Sequence, residues 1–478
     1  MIYGSNTAFN EGSSLDLISA AVLPEVALRT VCIVTSENVT EILMQTKAPD
    51  HATGRCWVQI EQYGERNTIS NGGGLMFKLG QAWRSNGTDW VPVSAYYSLW
   101  SEWVQFSWEF IEVGYEWNYA QASPLLTRTG AAVGLEASAG VGVLAGSSGF
   151  DKLPIYRDIV RVNLADDGTI NAIEGDEKFK TDGSNGQVMT RIPAFYYKVV
   201  NNSDASKLAV SVCNNKHEGY ELHPAFKHNN AEQQYIYVGS YKTGAGYTSK
   251  AGIAPLTNQT RGATRSGIAG TRGGGWSMVD LATRQAISLL MYIEFGTLDL
   301  QTAIAPGVSN SNNTAAVNTG GTDDIAGHTG RCSGTADKVN FRWRYIEDWW
   351  GNVWEWIDGL NINGGAFYYC LNQAQFADDT ASNYTKLSYS VGTGLSTSYG
   401  TRLGYDPAAP WSLLPSAHSG GSSGSYLCDA CWSGTGWRVA NAGGYWDNAL
   451  ACGPAAWNWD DASSNASAAH GSRLLFIP

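Results

Sequence analysis

The chain has 478 residues, of which only 15% are charged, with 55 glycines, 19 tryptophans and a formal net charge of -12. That length suits two or three domains and buries a core without covalent staples, while the aromatic, charge-poor balance excludes a disordered chain. The acidic balance, with no clustered Lys/Arg stripe, excludes a nucleic-acid-binding surface and leaves solubility as its plain meaning.

The opening MIYGSNTAFNEGSSLDLISAA has no basic region followed by an apolar run, so no secretory signal is expected, and no apolar stretch approaches the length of a membrane span. Residues 1–120 read as one β-rich unit. CWVQIEQY (56–63) and WVPVSAYYSLWSEWVQFSWEF (90–110) alternate with period two between NGGG and SNGTD turns, as half-buried antiparallel strands do. Their tryptophans suit a sandwich core or a subunit contact better than a sugar site. Residues 121–149, including TGAAVGLEASAGVGVLAGSSG (129–149), are expected to be a Gly/Ala/Ser-rich linker.

A second unit spans 150–478. FDKLPIYRDIVRVNLADDGTINAI holds two short β runs around the turn ADDG, and IPAFYYKVV, LHPAF and YIYVGSY continue in that style. WSMVDLATRQAISLLMYIEFG (276–296) is the clearest helix. Ala282, Ala286, Leu289, Leu290 and Ile293 recur at helical spacing, Ser277 is the expected N-cap and Gly296 the stop. Residues 300–340 read as loop, RWRYIEDWWGNVWEWIDGL (342–360) gathers five tryptophans, and 361–435 mix short strands with polar loops.

Chemistry-bearing motifs are few. Of the eight cysteines only Cys428 and Cys431 lie close together, in LCDAC, and no second pair completes a zinc site. Plain thiols, a local bond, and a metal or redox role stay open for them. TRGGGW (271–276) lacks the spacing of a phosphate loop and reads as a turn, and neither HExxH nor GxSxG occurs. Asp348, Glu355 and Asp358 flank the tryptophan cluster; structural hydrogen bonding is favoured over acid/base work or calcium ligation. Without a catalytic constellation, binding is the class that remains.

EDWWGNVWEWIDG (347–359) resembles the GNVWEW signature of the formylglycine-generating-enzyme branch of the C-type lectin fold. Residues 150–198, LHPAF and 275–296 are similar to a phage-associated group within that fold. The closing GWRVANAGGYWDN…GSRLLF resembles the variable region of proteins diversified by retroelements, of which phage tropism determinants are the best-known type. The resemblance covers roughly 150–478. It implies an α+β chain in which a C-terminal C-type lectin-like domain of the formylglycine-generating-enzyme kind follows an N-terminal all-β assembly domain.

Two functions follow the fold, and the site must choose between them. The enzyme branch carries a reactive cysteine pair after its Gly-Gly-Ser. Here Gly443-Gly444 is followed by Tyr445 and Trp446 with only Cys452 beyond, and Cys428/Cys431 lie upstream, so the oxidase reading is the alternative. In the variable-protein reading, mutated adenines turn asparagine codons into a restricted set that lacks Lys, Glu, Gln, Met and Trp. The first four are absent between 441 and 470. Within a variable region of about 443–473, the expected diversified, ligand-binding positions are Tyr445, Asp447, Asn448, Ala451, Ala455, Ala456, Asp460, Asp461, Ser467, Ala469 and His470. Trp446, Trp457 and Trp459 are expected as fixed aromatic contacts, with Gly443, Gly444, Gly471 and Arg473 as frame.

The resemblance further implies a non-enzymatic receptor-binding protein without a cofactor, for which structural calcium stays open. Its partner is a host cell-surface protein or glycan, and its assembly a homotrimer built through residues 1–120. Its location is a virion tail tip or fibre, or alternatively a bacterial cell surface. A plain carbohydrate-binding tail protein is a further alternative.

Overall fold

The computed structural model describes residues 110–228 and 231–478 and, before them, the backbone of seven strands between Arg29 and Phe106. The chain divides into two compact units, Met1–Phe110 and Ile111–Pro478. In the first, Arg29–Thr35, Asn38–Met44, Cys56–Gln62, Phe77–Ser85 and Trp90–Pro92 pair in that order, and Ala95–Leu99 forms a hairpin with Glu102–Phe106. The alternating stretches 56–63 and 90–110 thus carry strands. The use made of their aromatic side chains lies outside the described residues.

The second unit is mixed α+β, mostly strands with few helices. It starts at Ile111 rather than beyond residue 120, because Glu112–Asn118 pairs along its whole length with Lys207–Cys213. The expected linker is folded as well. Thr127–Gly130 pairs with Glu112–Asn118, Ala137–Ser138 with Ser147–Ser148, and Gly140–Val141 runs parallel to Gly330–Arg331. Its glycines serve close approach, not slack: a Cβ at Gly140 would sit 2.5 Å from the Leu144 carbonyl oxygen, and one at Gly146 2.2 Å from that of Ser138.

A six-stranded antiparallel sheet has the order Ile170–Ile173, Val160–Leu164, Gln187–Pro193, Tyr235–Gly239, Leu474–Phe476, Trp276–Met278. The ADDG turn joins the first two in that order. The largest sheet is built on Trp354–Asn363, a ten-residue strand buried over all but its last position. Trp437–Ala442 flanks it, followed by Trp457–Asp461, Ala430–Ser433 and Leu395–Tyr399; Ala366–Tyr369 and Thr385–Ser390 lie on its other side.

Helix α1 (Arg261–Arg272) was not legible, because Gly262, Gly267 and Gly270 depress its propensity. Its anchorage is tertiary. Arg265 forks onto both oxygens of Asp358 at 2.7 and 2.8 Å, Arg261 reaches Asp378 at 2.8 Å, and the Tyr247 hydroxyl occupies the space a Cβ at Gly267 would need. Helix α2 (Leu281–Phe295) ends, as expected, at Gly296 in left-handed conformation. Its N-cap is Asp280, which accepts from the Thr283 amide at 2.8 Å, and not Ser277, which the strand Trp276–Met278 has taken into the sheet. Residues 300–340 are mainly loop, with short helices at Leu300–Ala303 and Ala336–Lys338 and the strand Gly330–Arg331, which pairs with Gly140–Val141 on one side and Phe341–Trp343 on the other. All five tryptophans of 342–360 are buried.

Candidate ligand-binding surface

The segment 443–473 is framed by two strands, Trp437–Ala442 before it and Leu474–Phe476 after it. It leaves the sheet at Gly443-Gly444, with φ of +95° and +87°. A Cβ at Gly444 would lie 2.5 Å from the Cys452 sulfur, and one at Gly443 3.0 Å from the Trp349 carbonyl oxygen, so both positions demand glycine.

Directly beneath lies a buried ionic cluster. Glu355 Oε1 accepts from Arg473 at 2.8 Å and from Lys242 Nζ at 3.0 Å, while its Oε2 faces Arg284 at 3.6 Å. Arg473 also donates to the carbonyls of Gly239 (2.8 Å) and Glu347 (2.6 Å), and Arg284 to that of Trp349 (2.8 Å). Burial by itself raises the Glu355 carboxyl, but Arg473, Lys242 and Arg284 outweigh it and hold the group below its ordinary value. Burial pushes Lys242 down to about 8 against the pull of Glu355. Asp348 accepts from Asn340 (2.7 Å) and Asn352 (3.0 Å). The carboxylates of Asp348, Glu355 and Asp358 are therefore spent on protein partners, and the cluster is the floor on which the segment rests.

At the far end Asp461 is a hub. Its Oδ2 accepts from Asn441 (2.6 Å) and Asn458 (2.7 Å) and lies 2.9 Å from His470 Nε2; Asn465 donates to its Oδ1. His470 in turn bonds Ser467 at 2.7 Å and stacks on Trp356 with ring centroids 4.8 Å apart. Burial works to raise the Asp461 carboxyl, but these partners outweigh it and lower its pKa.

The named positions fall into two groups. Asp447 and Asp460 are exposed, and Tyr445, Trp446, Asn448, Asp461, Ser467 and Ala469 are half-buried. Ala451, Ala455, Ala456 and His470 are buried, as are Trp457 and Trp459. The two tryptophans stack at 5.9 Å, and Trp459 meets Phe367 at 5.0 Å, so they pack into the protein instead of forming contact surface. These six residues, expected as ligand contacts, are buried in the folded chain: large indoles are driven into the core, the small alanines are covered by their neighbours, and His470 lies against Trp356. Gly443, Gly444, Gly471 and Arg473 are buried.

Several accessible residues escaped sequence reasoning. Between 460 and 469 exposure alternates, with Ala462, Ser464, Ala466 and Ala468 pointing outward and Leu450 exposed on the preceding turn. The run of small residues ASSNASAA was the available signal. Half-buried Trp432, Trp437, Tyr368 and Asn458 lie on the adjoining strands, Trp437 packing on Tyr368 at 5.5 Å.

Cys428, Cys431 and Cys452 are free and buried, and burial pushes each thiol well above its ordinary value. A thiol so held supplies no thiolate nucleophile at neutral pH. Among the described residues no group of three or more His, Cys, Asp or Glu side chains is placed to hold a metal ion, and no helix is long and apolar enough to cross a membrane.

No family model and no curated protein matches the chain. Among solved structures, it is similar to the "Major Tropism Determinant U1 Variant" at 14% identity and a TM-score of 0.24, over 83% of this chain and 92% of that one. The "Major Tropism Determinant P3c Variant" gives 12% identity and a TM-score of 0.25, over 83% and 93%.

Proposed function

We propose that the chain is a non-enzymatic receptor-binding protein that displays a retroelement-diversified surface on a C-type lectin-like scaffold, in the manner of a phage tropism determinant. Its ligand is a protein or glycan on a host cell, and its place is the tip or fibre of a virion tail. The chain acts as a homotrimer assembled through its N-terminal unit, so that repeated weak sites add avidity.

The observation that carries this reading is the division of 443–473 into a fixed frame and a replaceable surface. Gly443, Gly444 and Arg473 answer to backbone geometry and a buried charge cluster. Asp447, Asp460 and the outward side chains of 462–468 answer to no packing demand. Small polar and aromatic side chains on such a frame give contact area and hydrogen bonds at low entropic cost. The buried thiols speak against the oxidase alternative, which needs a reactive cysteine.

Sequencing the DNA on either side of the coding region tests the diversification. The expected result is a reverse-transcriptase gene and a near-copy of the segment encoding 443–473, differing from it at adenines; finding neither overturns the reading. Light scattering of the full chain tests the assembly, a monomer at micromolar concentration being the adverse result.

A further inference from the structure

A cleft of about 150 Å³ opens between the residues 138–151, the C-terminal end of α2 and the residues 327–329. Its lining mixes polar and apolar surface: the hydroxyls of Ser138, Ser147, Ser148 and Thr329, the carboxylates of Asp151 and Glu294 and the His328 ring stand beside Phe295, Gly146 and Gly327. The base is rigid and buried. Glu294 Oε1 accepts from Ser148 at 2.6 Å and Arg344 at 2.8 Å, and its Oε2 from Trp343 at 2.8 Å and Arg344 at 2.9 Å. Both oxygens of Glu294 are thus committed to the protein.

Asp151 is different. Its Oδ1 meets Arg344 at 2.7 Å and His328 Nε2 at 3.0 Å, and its side chain is 44% exposed. Ser138 and Ser147 bond only each other across the hairpin, at 3.0 Å, and both are exposed. Each keeps capacity to donate or accept toward a ligand.

We propose that this cleft is a ligand site separate from the 443–473 surface, and that it takes one pyranose ring of a glycan. A volume of this size admits one six-membered ring, and a lining of hydroxyls and a carboxylate requires that the ring carry hydroxyl groups. Thr329 and Ser148 already bond His328 and Glu294, so the spare capacity lies with Ser138 and Ser147; a cation would satisfy Asp151 but offers them no acceptor, whereas a polyol offers both donors and acceptors. Phe295 supplies the apolar wall that a sugar's C–H face needs.

Saturation-transfer NMR on the full chain with glucose, galactose, mannose and N-acetylglucosamine tests this, methylammonium serving as the cationic comparator. At least one sugar is expected to receive saturation, Ser147→Leu to abolish it by filling the mouth, and Asp151→Asn to weaken binding about tenfold, the loss expected of one hydrogen bond to a charged acceptor. Thermal unfolding of both variants checks that the fold persists. Transfer to none of the four sugars, transfer unaffected by Ser147→Leu, or transfer to methylammonium alone overturns the proposal. The diversified-surface reading stands or falls separately, since neither variant touches 443–473.

Discussion

Asp460 and Asp461 are adjacent and both lie within the stretch expected to vary, yet the structure assigns them opposite roles. Asp460 has a side chain 58% exposed and touches Arg438 only at 3.8 Å. Asp461 is 13% exposed and gathers Asn441, Asn458, Asn465 and His470. Hydrogen bonds to a charged acceptor contribute about 1.5–3 kcal/mol each, less where water can substitute. Asp461→Ala removes three such bonds at a mostly covered site and leaves asparagine donors unpaired, so a loss of about 3 kcal/mol is expected. Asp460→Ala is expected to stay within about 0.5 kcal/mol of the parent. Urea denaturation of the two variants at pH 7 measures both. The pH dependence has a definite sign: because the Asp461 pKa is lowered in the folded chain, its contribution is present above the unfolded value of about 3.9 and vanishes as pH falls through the folded value. The gap between parent and Asp461→Ala should therefore close in acid. Equal stability of the two variants at pH 7, or a gap independent of pH, refutes the reasoning.

Glu355→Gln leaves Lys242, Arg284 and Arg473 around a neutral amide, and a loss of about 3–5 kcal/mol is expected by chemical denaturation. Gly444→Ala drives a Cβ against Cys452 at positive φ and should cost about 2 kcal/mol or more, read as a fall in Tm that the double variant Gly444→Ala/Cys452→Ala partly restores. Ser464→Tyr should leave Tm almost unchanged, whereas Ala456→Tyr, at a position with no exposure, should abolish cooperative unfolding; near-UV circular dichroism separates the two.

The elements that sequence reasoning found were those whose signal is local. Short β runs between turn signals marked the strands near 160–173, 192–200 and 235–241, and the spacing of Ala282, Ala286, Leu289 and Leu290 placed α2. What escaped depends on partners distant in the chain. Helix α1 forms against its own glycines because Arg261 and Arg265 are held by Asp378 and Asp358, a hundred residues away. The Gly/Ala/Ser run at 129–149 reads as slack, but small residues are also what closely spaced backbones require, and only the pairing partners distinguish the two. In the candidate surface, amino-acid composition set the segment apart but did not separate its inside from its outside. Ala455, Ala456, Trp457 and Trp459 share the segment with Asp460 and Ser464 and differ only in what packs above them.

Leu474–Phe476 sits between Tyr235–Gly239 and Trp276–Met278, in the interior of its sheet, although it is translated after the entire segment 443–473. Any shift of reading frame within that segment deletes an interior strand and the arginine that neutralises Glu355. A chain whose reading frame is lost upstream cannot close its core, while one altered only in outward side chains can. The architecture sets the length of the segment and leaves its outward vocabulary open.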